Sequence, residues 1–398
     1  MKPRLLVIPH IYADDIAVRE IELARRLARF FEVFVLSWPD IHRVHASSPT
    51  VRRVRQLKTA IAAAFHSRYG QTLSGEVTLV EAPLLQPALL QRILGAERAE
   101  TVCQLRNRKP LHNLLRELRI THLLLASNLF GVEHIAGVRT FFDIVDWFPE
   151  ESVRPSRLNS IRANIRSSAA IADGVFAVSE PLCEKLWHEC GIQATPLPNG
   201  ADLAGLRSIP SDRVREVRRR LGLESKFIIG YVGNHGAFTG VDLVVNAFLA
   251  ARSRLPDAAL LVVGPAEPWR GILEAHRSDG VIATGGVSPS EIGLYLNALD
   301  LGVLAQGKTT GTDFAFQIKV VEYSACRKCV VSTPLCTWQR LRWPNVLLTD
   351  PDPSVWADAF VRARSIRWQP DWDRFVEPYD WSILADSVAS VMLGSPAA

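Results

Sequence analysis

Lys319 and Glu322 stand three residues apart in FQIKVVEYSACRKCVVSTPL (316–335), a stretch that reads as buried. Residues 318–326 have helical spacing and 329–332 read as a buried strand, so both charges fall on one helical face. Burying a charge costs several kcal/mol unless it is paired or faces a ligand. Two chemistries fit. One is an i,i+3 ion pair on a solvated face. The other sets a cation for an anionic group beside a carboxylate that accepts two hydrogen bonds from adjacent hydroxyls, as a ribose presents them.

Two loops offer anion-binding backbone. In GYVGNHGAFTG (230–240), Gly233, Asn234, His235 and Gly236 follow a strand and precede a helix, where glycines let backbone N–H groups approach phosphate. The spacing is neither the dinucleotide fingerprint nor a Walker A loop, and a plain βα turn is the alternative. In GKTTGTDFAFQIK (307–319), the hydroxyls of Thr309, Thr310 and Thr312 and the N–H groups around Gly311 precede the Lys319 helix. Together with Lys319 they can cup a diphosphate.

These loops need a scaffold, and the chain supplies it. RLLVIPH (4–10), FEVFVLSW (31–38), THLLLAS (121–127), RTFFDIVDW (139–147) and DGVFAVS (173–179) read as strands alternating with helices such as AVREIELARRLARF (17–30). A second series runs through FIIGYVG (227–233), AALLVVGP (258–265), DGVIATGGV (279–287) and DLGVLAQ (300–306). Strand–helix alternation implies parallel sheets built from βαβ units. The expected domains are 1–204, a linker at 205–225, 226–375, and a closing segment at 376–398.

Composition sets the class. The 398 residues are 48% hydrophobic and 22% charged, ordinary for a soluble protein of two or three domains. No apolar run approaches the roughly 18 residues that span a bilayer, and the first strand is too short for a signal peptide. Six cysteines without framework spacing suit a reducing cytoplasm. Residues 1–200 carry 25 Lys+Arg against 20 Asp+Glu, while the remainder is balanced. Ile41–Gly75 holds Arg43, Arg52, Arg53, Arg55, Lys58 and Arg68 without an acid. With Ile61, Phe65 and Tyr69 nearby, this basic stretch suits an anionic membrane surface or a phosphorylated acceptor, against the plainer reading of a solvated helix face. No nucleic-acid-binding signature is present.

In order along the chain, IIGYVGNHGAFTGVDLVVNAF, LLVVGP, VIATGGVSPSEIGLYLNALDLGVLAQ and FQIKVVEYSACRKCVVSTP resemble the glycosyl transferases group 1, numbered family four, in a K-x-x-E-Y variant. ADGVFAVSEPLCEKLWHECGIQATPLPNGAD (172–202) and YDWSILA add to the likeness, which covers about residues 170–390 well and the rest in layout. The resemblance implies an α/β GT-B fold, with two Rossmann-like domains whose parallel sheets face a cleft. It implies sugar transfer from a nucleotide-diphosphate donor to a hydroxyl acceptor, in polysaccharide, glycolipid or secondary-metabolite assembly. Carried over, Glu322 holds the donor ribose, Lys319 is the motif lysine, and Gly233–Gly236 lie beside the diphosphate. Gly264 belongs to the donor site, and Gly285 to Val287, with Ser290 and Glu291, fall where the nucleobase packs. No essential metal or cofactor is implied. The location implied is cytoplasmic, peripheral at the inner face of the membrane, with an acceptor that can be lipid-linked.

The chain departs from the family twice. Phe314 stands eight residues before Glu322, where many relatives carry a second glutamate, with Asp313 beside it as a partial substitute. Thr239-Gly240 replaces a Lys-Gly. These leave the donor sugar and the stereochemical outcome open. An inverting transfer needs a general base near the acceptor hydroxyl. Asp143 and Asp146 sit at the carboxyl end of a strand, where parallel sheets place ligands. Asp146 is preferred, because Trp147 beside it can stack on a sugar; capping of the next helix is the plainer reading. Asp14 and Asp15 are rivals that also suit a helix cap. His10 and His134 suit phosphate or acceptor contacts, although lone histidines are more often structural. Cys326 and Cys329 read as core rather than redox, and Asp350-Pro-Asp352 as a turn. An epimerase of the same fold and a scaffold that has lost its chemistry are the alternative functions.

Overall fold

The computed structural model describes residues 2–10, 18–37, 70–82, 84, 90, 93–126, 132–148, 150–234, 236–265 and 268–394. Of the residues singled out above, Asp14, Asp15, Arg52, Arg53, Arg55 and His235 lie outside them. The chain divides into two units, Met1–Pro198 with Trp381–Ala398, and Asn199–Asp380.

Among the described residues the first unit is an eight-stranded sheet. Its strands are β1 (Arg4–Ile8), β2 (Glu32–Ser37), β3 (Gly70–Ser74), β4 (Val77–Glu81), β5 (His122–Leu125), β6 (Arg139–Ile144), β7 (Gly174–Ala177) and β8 (Thr195–Pro196), in the order β3-β4-β2-β1-β5-β6-β7-β8. All neighbours run parallel except the β3–β4 hairpin. Parallel strands are covered on both faces, which is why HLLL and the LLVI of β1 are uniformly buried. The Trp381–Leu393 helix closes this unit. It buries Trp381, Leu384, Ala385 and Val388, and Asp386 accepts from Arg29 at 2.6 Å.

The second unit holds β9 (Phe227–Val232), β10 (Ala258–Val263), β11 (Val281–Gly285), β12 (Leu301–Leu304), β13 (Cys329–Ser332) and β14 (Val346–Leu348). The order is β11-β10-β9-β12-β13-β14, parallel throughout. Helices Val241–Ala251 and Pro353–Ser365 bury Val244, Val245, Phe248, Trp356 and Phe360 against it. Residues 205–225, expected as a linker with a charged helix, contain the end of helix Leu203–Arg207 and all of helix Ser211–Arg220, and group with this unit. Their charge hid a single buried row: Val217 is buried, Arg218 Nε donates to Ala298 O at 3.0 Å and Asn297 Nδ2 to Leu206 O at 3.0 Å.

Both sheets reverse direction at their first strand, β1 beside β5 and β9 beside β12. Ligands of open parallel sheets bind outside the carboxyl ends at such points. Gly240 shows how tightly the second is built. Its φ is 64°, and a Cβ there would lie 2.1 Å from Ala305 O, past the end of β12. Gly240→Ala is therefore expected to cost about 2–4 kcal/mol in chemical denaturation. Gly307→Ala, where a Cβ meets nothing within 4 Å, should stay within about 0.5 kcal/mol of wild type.

Candidate functional site

In the second unit the Ile318–Ala325 helix buries Val320, Val321, Tyr323, Ser324 and Ala325. Only a narrow stripe is left open, and it holds Lys319 and Glu322, whose side chains are 20% and 14% exposed. Lys319 Nζ donates to Glu322 Oε2 at 2.7 Å. The ion pair is real, but it is not on a solvated face: a Cβ at Gly233 would lie 3.0 Å from Lys319 Cε. The lysine stem thus runs against the glycine loop at the end of β9, and glycine leaves it room. Burial raises the Tyr231 phenol pKa, with the Glu322 charge adding to it, so the carboxylate also faces this corner. Tyr323, the last residue of the K-x-x-E-Y string, anchors the helix. Its ring occupies the space a Cβ at Gly302 would need, and its hydroxyl accepts from Val232 N at 3.0 Å.

The glycine loop is braced from inside. Thr239 is buried, and its hydroxyl donates to Gly236 O at 2.6 Å, an oxygen that also accepts from Trp269 Nε1 at 3.1 Å. Thr239 is therefore a loop strut rather than a diminished ligand contact. Asn234 is exposed, and its carbonyl accepts from the Tyr231 hydroxyl at 3.2 Å. At the neighbouring turns Gly264 N donates to Gly285 O at 2.9 Å, and Gly285 takes a φ of 73°. Val287 and Glu291 follow, both half-buried. A cavity of about 850 Å³ lined by Pro265, Gly285 and Gly286 opens beside these turns.

The threonine loop differs from expectation. Thr309 caps the Thr310–Phe314 helix, and Thr309 and Thr312 form a reciprocal capping box. Thr312 also donates to Gly307 O at 2.6 Å. These hydroxyls satisfy backbone that would otherwise be orphaned at a helix start. Thr310 and Gly311 sit in that first turn. Asp313 Oδ1 accepts from Cys336 N at 2.8 Å, the first residue of helix Cys336–Leu341, and Oδ2 lies 3.5 Å from Lys308 Nζ. One oxygen of Asp313 is thus taken up by the start of that helix.

In the first unit, Asp143 and Asp146 part company. Asp143 on β6 is 1% exposed and gripped by Arg19, with Nη2 to Oδ1 at 3.0 Å and Nε to Oδ2 at 3.1 Å. Arg19 also donates to Leu197 O at 2.6 Å. That bidentate pair occupies both carboxylate oxygens, so Asp143 is a structural ion. Asp146, three residues on, is exposed and makes no hydrogen bond among the described residues. Desolvation by the surrounding protein raises its pKa, helped by Glu20 and Asp143 and opposed by His10 and Arg19. Trp147 cannot stack on a ligand. It is buried, its indole N–H donates to Glu150 at 2.8 Å, its ring stacks on Phe148, and Lys185 Nζ lies 5.4 Å from its centroid.

His10, at the end of β1, gains a partner that the sequence reading missed. Its Nδ1 and its backbone N–H, the latter at 3.1 Å, both meet Glu20 Oε1, from the first turn of helix Val18–Leu27. Burial disfavours the imidazolium, but the Glu20 hydrogen bond and charge, with Asp146 and Asp143, leave the His10 pKa raised. Burial likewise opposes ionisation of Glu20, and His10 overrides it, so the Glu20 pKa is lowered. The available signal was a buried-looking acid on the apolar face of the first helix. His134 lies exposed. Cys326 and Cys329 are buried, their thiol pKa values pushed up to about 12 and about 11. Asp352 caps helix Pro353–Ser365 through Ser354 N and Val355 N.

The family model for glycosyl transferases group 1 matches residues 226–365, the span that holds the glycine loop, Lys319 and Glu322. A putative teichuronic acid biosynthesis glycosyltransferase of Bacillus subtilis is 27% identical over 122 residues, 30% of this chain and 30% of that protein. The chain therefore aligns with under a third of that relative's length. Among solved structures, sucrose-phosphate synthase from Thermosynechococcus elongatus superposes with a TM-score of 0.69 at 15% identity, covering 99% of both chains. Anabaena Alr3699/HepE, solved with UDP and glucose, gives 0.62 at 14% identity, covering 98% of this chain and 95% of that one. At such identities the structures speak for the fold. The chain has the GT-B fold, and its residues 226–365 match the family model for glycosyl transferases group 1.

Proposed function

We propose that the protein is a glycosyltransferase that moves a sugar from a nucleoside-diphosphate donor to a hydroxyl acceptor. One observation carries this reading: in a group 1 domain, the Lys319–Glu322 pair lies against the Gly233 loop at the switch point of the sheet. In this reading Glu322 accepts the ribose hydroxyls, and Lys319 faces the diphosphate with the N–H groups of the glycine loop. Those groups stabilise the charge that grows on the leaving diphosphate. The turns at Gly264, Gly285, Val287 and Glu291 hold the base, and the reaction needs no metal. The Anabaena neighbour was solved with UDP, which makes uridine the first base to try. The test is calorimetric titration of UDP, GDP, dTDP and CMP: one of them should bind and the others should not. Binding by none would overturn the donor site.

The reading extends to the membrane. Among the described residues no helix is long and apolar enough to cross a bilayer. The basic stretch with Arg52, Arg53 and Arg55 suits peripheral contact with anionic lipid at the inner face of the cell membrane, beside a lipid-linked acceptor. Sedimentation with phosphatidylglycerol vesicles is expected to fall several-fold when all three become Ala. Unchanged sedimentation, or none for the wild type, would remove this part of the proposal.

A further inference from the structure

Away from the donor turns, the second unit has a cavity of about 560 Å³ at the opposite end of its sheet. It opens beside Phe227 and Cys329, which begin β9 and β13, and beside Asp257 and Asp300, which precede β10 and β12. The donor turns follow the carboxyl ends of the sheet. The six residues of β9 put roughly 20 Å between the two places. The volume falls within the roughly 300–1,000 Å³ of small-molecule sites.

Six cations line the cavity: Arg218, Lys226, Arg327, Lys328, Arg364 and Arg367. Three of them are matched. Arg218 Nη2 meets Asp300 Oδ1 at 2.9 Å, Arg364 Nη2 donates to Asp257 Oδ2 at 2.6 Å, and Arg327 Nη2 donates to Asp373 Oδ2 at 2.7 Å. The other three meet no carboxylate among the described residues. Arg367 donates to the carbonyls of Arg364 and Ile366, at 2.6 and 3.2 Å, and Lys328 Nζ to that of Asn297 at 3.0 Å. Lys226 makes no side-chain hydrogen bond among the described residues. Lys328 is half-buried, and desolvation lowers its pKa; Arg218 adds to that, while Cys326 and Asp300 oppose it. An ammonium withdrawn from water is costly without a counter-charge. Among the lining acids only Glu224 lacks an ion-pair partner within the described residues, and it is exposed. Three cations less one carboxylate leave a charge of about +2, which a phosphate monoester cancels. Trp368 supplies an apolar wall. Its indole N–H donates to Asp373 Oδ1 at 3.2 Å and its ring meets Trp372 edge-on, with centroids 5.5 Å apart, so the ring is held in place.

We propose that this cavity is a second ligand site, for a small phosphomonoester such as a sugar phosphate. Lys226, Lys328 and Arg367 hold the phosphate, the lysines as point charges and the arginine through its fork of N–H donors. Trp368 meets the carbon skeleton. The site shares no residue with the donor turns, so both can be filled at once, and it does not rest on the glycosyltransferase reading.

Calorimetric titration of the full chain with glucose 6-phosphate, orthophosphate and glucose tests the site. Glucose 6-phosphate should bind, orthophosphate about fivefold more weakly, and glucose not at all. Lys328→Met keeps the apolar stem and removes the charge, and should weaken glucose 6-phosphate about tenfold. Arg367→Gln, at an exposed position, should weaken it about as much. Saturating UDP, and separately Lys319→Ala, should leave glucose 6-phosphate affinity within twofold. Failure of wild type to bind either phosphate at about 10 mM would overturn the proposal. So would unchanged affinity in both Lys328→Met and Arg367→Gln. Orthophosphate or glucose binding as tightly as glucose 6-phosphate would overturn the phosphomonoester assignment. Competition by UDP, or loss of binding in Lys319→Ala, would put the phosphate at the donor turns and remove the second site. A wild type that binds glucose 6-phosphate but no nucleotide loses the donor reading and keeps this one.

Discussion

Glu322→Ala weakens nucleoside-diphosphate binding about 10- to 100-fold. A hydrogen bond to a charged group contributes about 1.5–3 kcal/mol, and each 1.4 kcal/mol is tenfold in affinity. The loss should extend to the nucleoside if, as proposed, the carboxylate accepts the ribose hydroxyls. Lys319→Ala should instead weaken the diphosphate about tenfold and leave the nucleoside nearly unchanged, because a lysine recognises phosphate as a point charge. The two side chains are bonded at 2.7 Å, so each substitution also frees the other. Glu322→Ala releases Lys319 toward phosphate and sets the lower end of the range. Calorimetry with UDP and uridine on both variants reads the split. Equal effects on both ligands would mean that the pair acts only as a brace, and the assignment of Glu322 to ribose would be withdrawn. Stability should change little in either case, because a partly exposed i,i+3 pair contributes at most about 1 kcal/mol.

Asp143→Asn destabilises the first unit by about 3–5 kcal/mol, because it removes the charge that both Nε and Nη2 of the buried Arg19 meet. For a unit of this size the unfolding midpoint should fall by roughly 10 °C. Asp146→Asn, three residues along the same segment, should leave the midpoint within about 2 °C, because its carboxylate is exposed and makes no hydrogen bond among the described residues. Arg19→Met with Asp143→Leu, which removes both charges, should recover much of the loss, as buried pairs replaced by apolar groups commonly do. Thermal denaturation of the four proteins decides the matter. If Asp143→Asn melts with wild type, the pair is not structural, and Asp143 returns as a candidate base.

The two aspartates show where reading from the chain alone stops. RTFFDIVDW identifies a strand and places both acids near its carboxyl end. Nothing local says that Arg19, 124 residues earlier, fills both oxygens of one of them. Trp147 misled for the same reason. An aromatic beside an acid suits a sugar platform, but Glu150, Phe148 and Lys185 enclose it. Thr309, Thr312 and Asp313 are residue types that suit ligands and helix caps equally, and only the helix starts at Thr310 and Cys336 show that they cap.

What the chain determined by itself is the part carried by short-range periodicity. Apolar runs of strand length alternating with amphipathic helices dictate parallel sheets. The turns after β9 and β12 follow from glycine and threonine, and Lys319 and Glu322 share a stripe because a helix returns to the same face every three to four residues. The tertiary structure decided partnership. It set Lys319 against Gly233, Tyr323 into the space left by Gly302, Arg19 onto Asp143 and Glu20 beneath His10. Backbone periodicity is local and repeats within a few residues, so it is written in the sequence. The charge and desolvation a side chain feels are summed over every neighbour that folding brings close, and those neighbours come from anywhere in the chain.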